Sequence, residues 1–205
     1  MNVGNLYCVG RNYRLHAEEL GNDVPSSPMI FTKPSHALRH MDGGELTIPH
    51  DRGEVHYELE LVLRIREGYQ SGMPLEQAVE HFTLGLDLTL RDVQAELKKK
   101  GHPWLAAKGF KGSATIGEWL PMTTAEELEQ GQFKLLRNGD TAQFGEPKDM
   151  IFGCNELLQF IDKHYGLGAG DLIYTGTPAG VAALHAGDQL QAYWNDQLLG
   201  SCVIK

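Results

Sequence analysis

Cysteine is scarce in this sequence: Cys8, Cys154 and Cys202 are all there are. Their number is odd and no two stand at a metal-type spacing, so neither a disulfide framework nor a thiolate zinc site is expected. Free thiols, buried or half-buried in the reducing cytoplasm, are the simplest account, and none is a candidate nucleophile. Positive charge is short as well. With 18 lysines and arginines against 27 acidic residues, the formal net charge is -9, which argues against a nucleic-acid backbone or an anionic membrane as partner. It leaves room for a small acidic substrate held by local cations. No apolar run approaches spanning length, and the opening MNVGNLYCVGR has neither a basic leader nor an apolar core, so no membrane span or signal peptide is expected. Also missing are a dinucleotide fingerprint, since GLGAGD at 166–171 has the wrong spacing, a phosphate-binding lysine loop, and any internal repeat.

What is present is a 205-residue chain, 41% hydrophobic, enough for one globular domain over 1–205 with a sizeable core. Period-two alternation and turn residues predict strands at 6–9, 29–32, 46–48, 56–65, 82–90, 133–137, 141–144, 171–175, 189–194 and 198–204. Helices are expected from an Asn12 cap to Gly21, at 74–81, from Arg91 to a stop at Gly101, and from an Asn155 cap to about Tyr165. The segment 36–55, rich in His and Gly, reads as the longest irregular stretch, and 102–121 as loop and short strand. Lys98, Lys99 and Lys100 read as the solvated end of their helix, where cations oppose its dipole. Strands outnumber helices without a βαβ rhythm, so the fold class is a strand-rich α+β domain.

The stretch from His56 to Asp92 carries the chemistry. In HYELELVLRI the alternation puts Glu58 and Glu60 on one face of a strand, and Asp87 interrupts the apolar HFTLGLDLTL. If the two strands pair or stack, three carboxylates meet. Two unit charges ~4 Å apart repel by about 1 kcal/mol in water and about 4 at an effective dielectric of 20, so such a cluster needs protons or a cation. Three oxygen ligands without Cys suit a hard divalent ion, Mg2+ or Mn2+. Alternating glutamates also describe any half-exposed antiparallel strand, the commoner meaning of the pattern. Asp87 resists that account, because an unpaired carboxylate among leucines is costly.

VGRNYRLHAEE, KPS, ELE, DLTLRDVQ, PW…AK and TGTPAGV follow one another in this sequence. In that order they resemble the fumarylacetoacetate hydrolase superfamily, most of all its small branch of acylpyruvate hydrolases, oxaloacetate decarboxylases and related tautomerases or isomerases. The resemblance runs from Val9 nearly to the end of the chain. It implies mixed β-sheets rolled around the active site, short helices and a homodimer. It implies Glu58, Glu60 and Asp87 as ligands of Mg2+ or Mn2+, His16 with Glu19 as the catalytic dyad of a lid helix, and Lys108 as a catalytic cation. Arg11, Gln94 and Thr177 fall where substrate contacts are expected, and Arg91 is a further contact or the neutraliser of Asp87 or Asp92.

The sequence departs from the family pattern at Lys111, where Asp is usual, at Thr115 and Asn155, where proline is common, and at Ala182–Ala183. These departures leave the substrate open and spare the metal ligands. The expected reaction passes through a metal-stabilised enolate of a small 2-keto acid, first of all hydrolytic C–C cleavage of acylpyruvates such as fumarylpyruvate or acetylpyruvate. Oxaloacetate decarboxylation and tautomerisation use the same enolate. An isomerase of the 2-hydroxyhepta-2,4-diene-1,7-dioate type and a catalytically silent metal binder are the alternatives. The amides of the Thr175–Gly180 stretch are expected to receive a carboxylate, or to form a plain turn.

Overall fold

The computed structural model describes residues 3–19, 21 and 23–205. Its centre is the strand Leu59–Ile65, which pairs antiparallel with Val79–Leu86 on one side and with Leu172–Tyr174 on the other. Leu6–Gly10 joins Leu172–Tyr174 in parallel, Met29–Lys33 adds antiparallel, and Leu120–Pro121 closes the far edge of a six-stranded sheet. Both faces of this sheet are covered, so its central strand reads as an apolar run. Leu59, Leu61, Leu63 and Ile65 share a core with Phe133, Leu135, Leu190 and Ala192 of a second sheet. On the other face, Val62 packs with Leu6, Cys8 and Tyr174 against Ala114 and Ile116. Each fully buried leucine stabilises by about 1.5–3 kcal/mol, which holds the strand in place against the cost of the carboxylates beside it.

The second sheet has five strands: Asp140–Gly145, Phe133–Arg137, Gln189–Trp194, Gln197–Ile204 and, in parallel at the edge, Asp42–Leu46. Its first hairpin turns at Asn138 and Gly139, whose φ values of 54° and 91° are those of a primed turn that matches strand twist. Two small ribbons complete the strands, Ala182–Ala183 with Val55–Tyr57 and Thr89–Leu90, and Leu38–His40 with Ala114–Ile116. Helices are few, the longest being Cys154–Tyr165 and Arg91–Lys100. The strand-rich mixed α+β class is therefore as the sequence implies. No helix among the described residues is long and apolar enough to cross a membrane, and the three cysteines are free and buried.

Local expectations shift where long-range pairing overrides local pattern. The strand read over 56–65 is two strands, because Val55–Tyr57 leaves at Glu58 to pair with Thr89–Leu90 and Ala182–Ala183. The strand read over 82–90 likewise ends at Leu86 and resumes at Thr89. The segment 36–55 is not irregular throughout: it holds a 3-10 turn at Ser35–Ala37 and the strands Leu38–His40 and Asp42–Leu46. The strand expected at 46–48 thus ends at Leu46, drawn back by its register with Gln197–Ile204. The helix expected over 74–81 stops at Ala78, since Val79 already pairs with Ile65. Within 102–121 a one-turn helix, Leu105–Lys108, carries the lysine of interest. Asn12 does not cap the helix Arg14–Glu19; its side chain clamps Phe152 and the Thr175 carbonyl instead. Asn155 is exposed in the first turn of a helix that starts at Cys154 without a side-chain cap.

Candidate active site

The two strand breaks face each other, and the acids sit there. The Asp87 amide donates to the Glu58 carbonyl, and Glu60 lies in register with Gly85. A methyl group at Gly85 would run into the Thr115 carbonyl, so only glycine lets that strand close over the acids. One carboxylate oxygen from each of Glu58, Glu60 and Asp87 lies within 4.8 Å of the other two. Their exposures are 5%, 1% and 1%, so the half-exposed strand is excluded for both glutamates: the cluster is interior.

Cations surround it unevenly. Lys108 Nζ donates to Glu58 Oε2 at 2.8 Å and to Asp87 Oδ2 at 2.7 Å. Arg91 pairs with Glu58 Oε1 at 2.5 Å, not with Asp87 or Asp92, and Thr89 Oγ1 donates to the same oxygen. Lys33, the lysine of KPS, stands 2.7 Å from Asp87 Oδ1. Its Nζ also donates to the Leu88 and Lys108 carbonyls, and the contact with Oδ1 is an ion pair without hydrogen-bond geometry, so that oxygen accepts no hydrogen bond among the described residues. Among the described residues Glu60 has no cation against it and accepts only from the Gly176 amide, at 2.8 Å. Burial would raise the Glu58 pKa, but Lys108, Arg91 and His16 outweigh it and hold this carboxyl well below the usual carboxylate range. Burial and then the charges of Asp87 and Glu58 push Glu60 the opposite way, well up. Burial alone would lower Lys108, yet Asp87 and Glu58 raise it, so it stays an ammonium. Three clustered oxygens, one without a hydrogen bond and one without a counter-ion, form a donor set that fits a hard divalent cation.

The acids open into a cavity with about 390 Å³ of empty space including its mouth. His16, Lys108 and Thr177 line it together with Arg11, Arg91 and Gln94. Arg91 Nη1 donates to Gln94 Oε1 at 2.9 Å, which holds that amide in place. His16 Nδ1 lies 3.4 Å from Glu19 Oε2. Glu19 is not part of the wall; it orients His16 from behind and accepts from the Gly180 amide at 3.2 Å. Burial lowers the His16 pKa, and although Glu58 and Glu19 pull it up, the net direction is down. The amides of the Thr175–Gly180 stretch do receive carboxylates, those of Glu60 and Glu19 from this chain itself.

Three residues escaped the reading of the sequence. Lys33 sits in a motif quoted only for resemblance, and its role depends on a strand 55 residues away. Gln143, buried in the second sheet, accepts from Leu59 N and donates to Thr177 Oγ1 and the Pro178 carbonyl; nothing local marks it. Lys98 is exposed, as read from the sequence, but it also lines the cavity, which that reading did not foresee. Its position, seven residues beyond Arg91 and four beyond Gln94, was the available signal. Among the departures, Lys111 lies in a separate groove, and Thr115 Oγ1 accepts from the Leu86 amide.

A family model described as fumarylacetoacetate (FAA) hydrolase C-terminal matches residues 5–203. An oxaloacetate tautomerase of Escherichia coli (strain K12) is 37% identical over 211 residues, covering 98% of this chain and 93% of the relative. A mitochondrial protein of Dictyostelium discoideum named oxaloacetate decarboxylase is 34% identical over 189 residues, covering 91% and 86%. The crystal structure of fumarylpyruvate hydrolase from Pseudomonas aeruginosa in complex with Mn2+ and pyruvate has a TM-score of 0.90 and 33% identity, covering 98% of this chain and 89% of that one. Each of these relatives is named as an enzyme of keto acids. The chain belongs to the fumarylacetoacetate hydrolase family of enzymes.

Proposed function

We propose that this chain is a divalent-metal-dependent tautomerase that interconverts the keto and enol forms of a small 2-keto dicarboxylate of the oxaloacetate type. The observation that carries this reading is a single cavity in which a histidine kept neutral by burial faces three buried carboxylates and four cations. The names of the oxaloacetate-acting relatives agree with this reading.

Glu58, Glu60 and Asp87 would hold Mg2+ or Mn2+, and the ion when bound supplies Lewis acidity favouring negative charge on the 2-oxygen of the substrate. His16 moves the proton. Its Nδ1 hydrogen is held toward Glu19, which leaves the Nε2 lone pair for the cavity. Nε2 takes the proton from C3 of the keto form and returns it to the 2-oxygen, or runs the same path backwards. Lys108, kept protonated by Glu58 and Asp87, balances the charge on that oxygen. Arg11, Arg91, Gln94 and Thr177 bind and orient the carboxylates. Tautomerisation needs this one proton shuttle and nothing more.

Hydrolysis of acylpyruvates is the second reading, favoured by the same dyad, because a base held by a carboxylate also deprotonates water. The two readings separate in one assay: decay of the oxaloacetate enol followed by absorbance, beside pyruvate release from acetylpyruvate and from oxaloacetate, with Mn2+ or Mg2+ and after chelation. Metal-dependent enol–keto exchange faster than either pyruvate release is expected, with kcat/KM falling about 10²–10⁴-fold in His16→Ala. Pyruvate release outrunning the exchange would replace the tautomerase with a hydrolase or decarboxylase. No metal-dependent turnover on either substrate would end both readings.

A further inference from the structure

We infer that Lys98 is a specificity-determining residue, whose ammonium over Trp104 at the cavity mouth takes the far carboxylate of a dianionic substrate. The site would thereby select 2-keto dicarboxylates over the matching monocarboxylates. The inference deepens the proposed function and rests on it.

The three consecutive lysines do not share one environment. Lys99 and Lys100 turn to Glu96, at 3.3 and 3.7 Å. Lys98 falls on the opposite stripe of Arg91–Lys100, with Arg91 and Gln94, and all three line the cavity. At 1.5 Å per residue this stripe runs about 10 Å outward from Arg91, whose guanidinium rests on Glu58. Helical side chains tilt toward the N-terminus, so Lys98, although exposed, leans back toward Gln94 at the cavity mouth.

Its Nζ lies 5.5 Å from the centroid of Trp104. Trp104 in turn packs on Phe31 with centroids 5.7 Å apart, and Lys108 Nζ sits 4.9 Å over Phe31. One aromatic wall thus separates two ammoniums. The inner one is paired with Glu58 and Asp87, whereas Lys98 has no salt bridge among the described residues. Burial and then Arg11 and Arg91 lower its pKa, the mark of an ammonium crowded by like charge. Four cations face three carboxylates in the cavity, before a divalent ion adds more positive charge. With the ion bound, one substrate carboxylate leaves part of that surplus uncorrected. A second, at the mouth, meets Lys98.

Lys98→Met keeps the aliphatic stem on Trp104 and removes the charge; Lys98→Arg keeps the charge. The probes are malate and lactate, 2-hydroxy acids that differ by the far carboxylate, titrated calorimetrically into the Mn2+-loaded protein. The wild type is expected to prefer malate at least about tenfold. Lys98→Met should weaken malate about tenfold and lactate less than about threefold, and Lys98→Arg should restore the preference. Equal affinity of the wild type for both acids overturns the inference, as does equal loss of both in Lys98→Met. Thermal melts of the two variants confirm that the comparison is between folded proteins. A malate preference that follows Lys98 in a protein without tautomerase activity would sink the proposed reaction and leave the subsite. Tautomerase activity with an unchanged oxaloacetate KM in Lys98→Met would do the reverse.

Discussion

Among the described residues Glu60 accepts one hydrogen bond, from the Gly176 amide, and faces two other carboxylates with no lysine or arginine of its own. Without an ion that charge is a liability in the interior. Replacing it by Gln removes the repulsion while an amide oxygen still accepts from Gly176. Glu60→Gln is therefore expected to stabilise the metal-free protein by about 1 kcal/mol, or about 2–4 °C in a chain of this size, as a melt in chelator would read. An unchanged or lower Tm would mean that the triad is not strained. His16 makes a second prediction at the same scale. Burial lowers its pKa from the ordinary 6.5, and the base must be neutral to work. Activity is thus full above pH 6.5 and lost only as pH falls through the lower folded value. The acid limb of kcat/KM should lie below pH 6.5 in the wild type. A limb at or above that value would contradict a buried base.

At the scale of elements, the loop after Leu172–Tyr174 is the joint of the site. Gly176 holds Glu60, Gly180 holds Glu19, and Thr177 Oγ1 donates to the Leu59 carbonyl. Gly180 has a φ of 102°, and a side chain there would strike the Ala142 carbonyl, so glycine is required for the approach. Gln143 reaches across from the second sheet and ties Leu59, the residue between two ligands, to Thr177 and Pro178. Each buried polar group left without a partner costs about 1–3 kcal/mol. Gln143→Ala is expected to lose about 2–4 kcal/mol in urea unfolding and to weaken Mn2+ binding in calorimetry. Lost stability with unchanged Mn2+ affinity would reduce Gln143 to a plain core residue.

For the whole molecule, the proposed metal ligands come from both sides of a joint between sheets. Glu58 and Glu60 flank the start of Leu59–Ile65, and Asp87 follows Val79–Leu86. An ion bound there ties together elements that the unfolded chain leaves apart, so it binds the folded state alone. Mn2+ is expected to raise the Tm as its concentration rises, by about 2.7 kcal/mol at a hundred times Kd, and to leave Glu60→Gln nearly unmoved. A Tm indifferent to Mn2+ in the wild type would remove the ion from the triad.

Much of this was present in the linear pattern. Alternating or continuous leucines predict the central strands, since burial on one face or two leaves a periodic trace, and an aspartate amid leucines at 87 is costly unless compensated. The order of the motifs carried the family. What the chain alone could not express is whatever depends on two distant segments meeting. The strand breaks at Glu58 and Asp87, the pairing of Asp42–Leu46, and the placing of Lys33 and Gln143 all follow from register between segments far apart in sequence. Lys98 is exposed, as a lysine at a helix end should be; tertiary structure decided only that Trp104 comes beside it and that it borders the cavity. Local chemistry sets which residues are able to act, and only the closing of the sheets selects those that do.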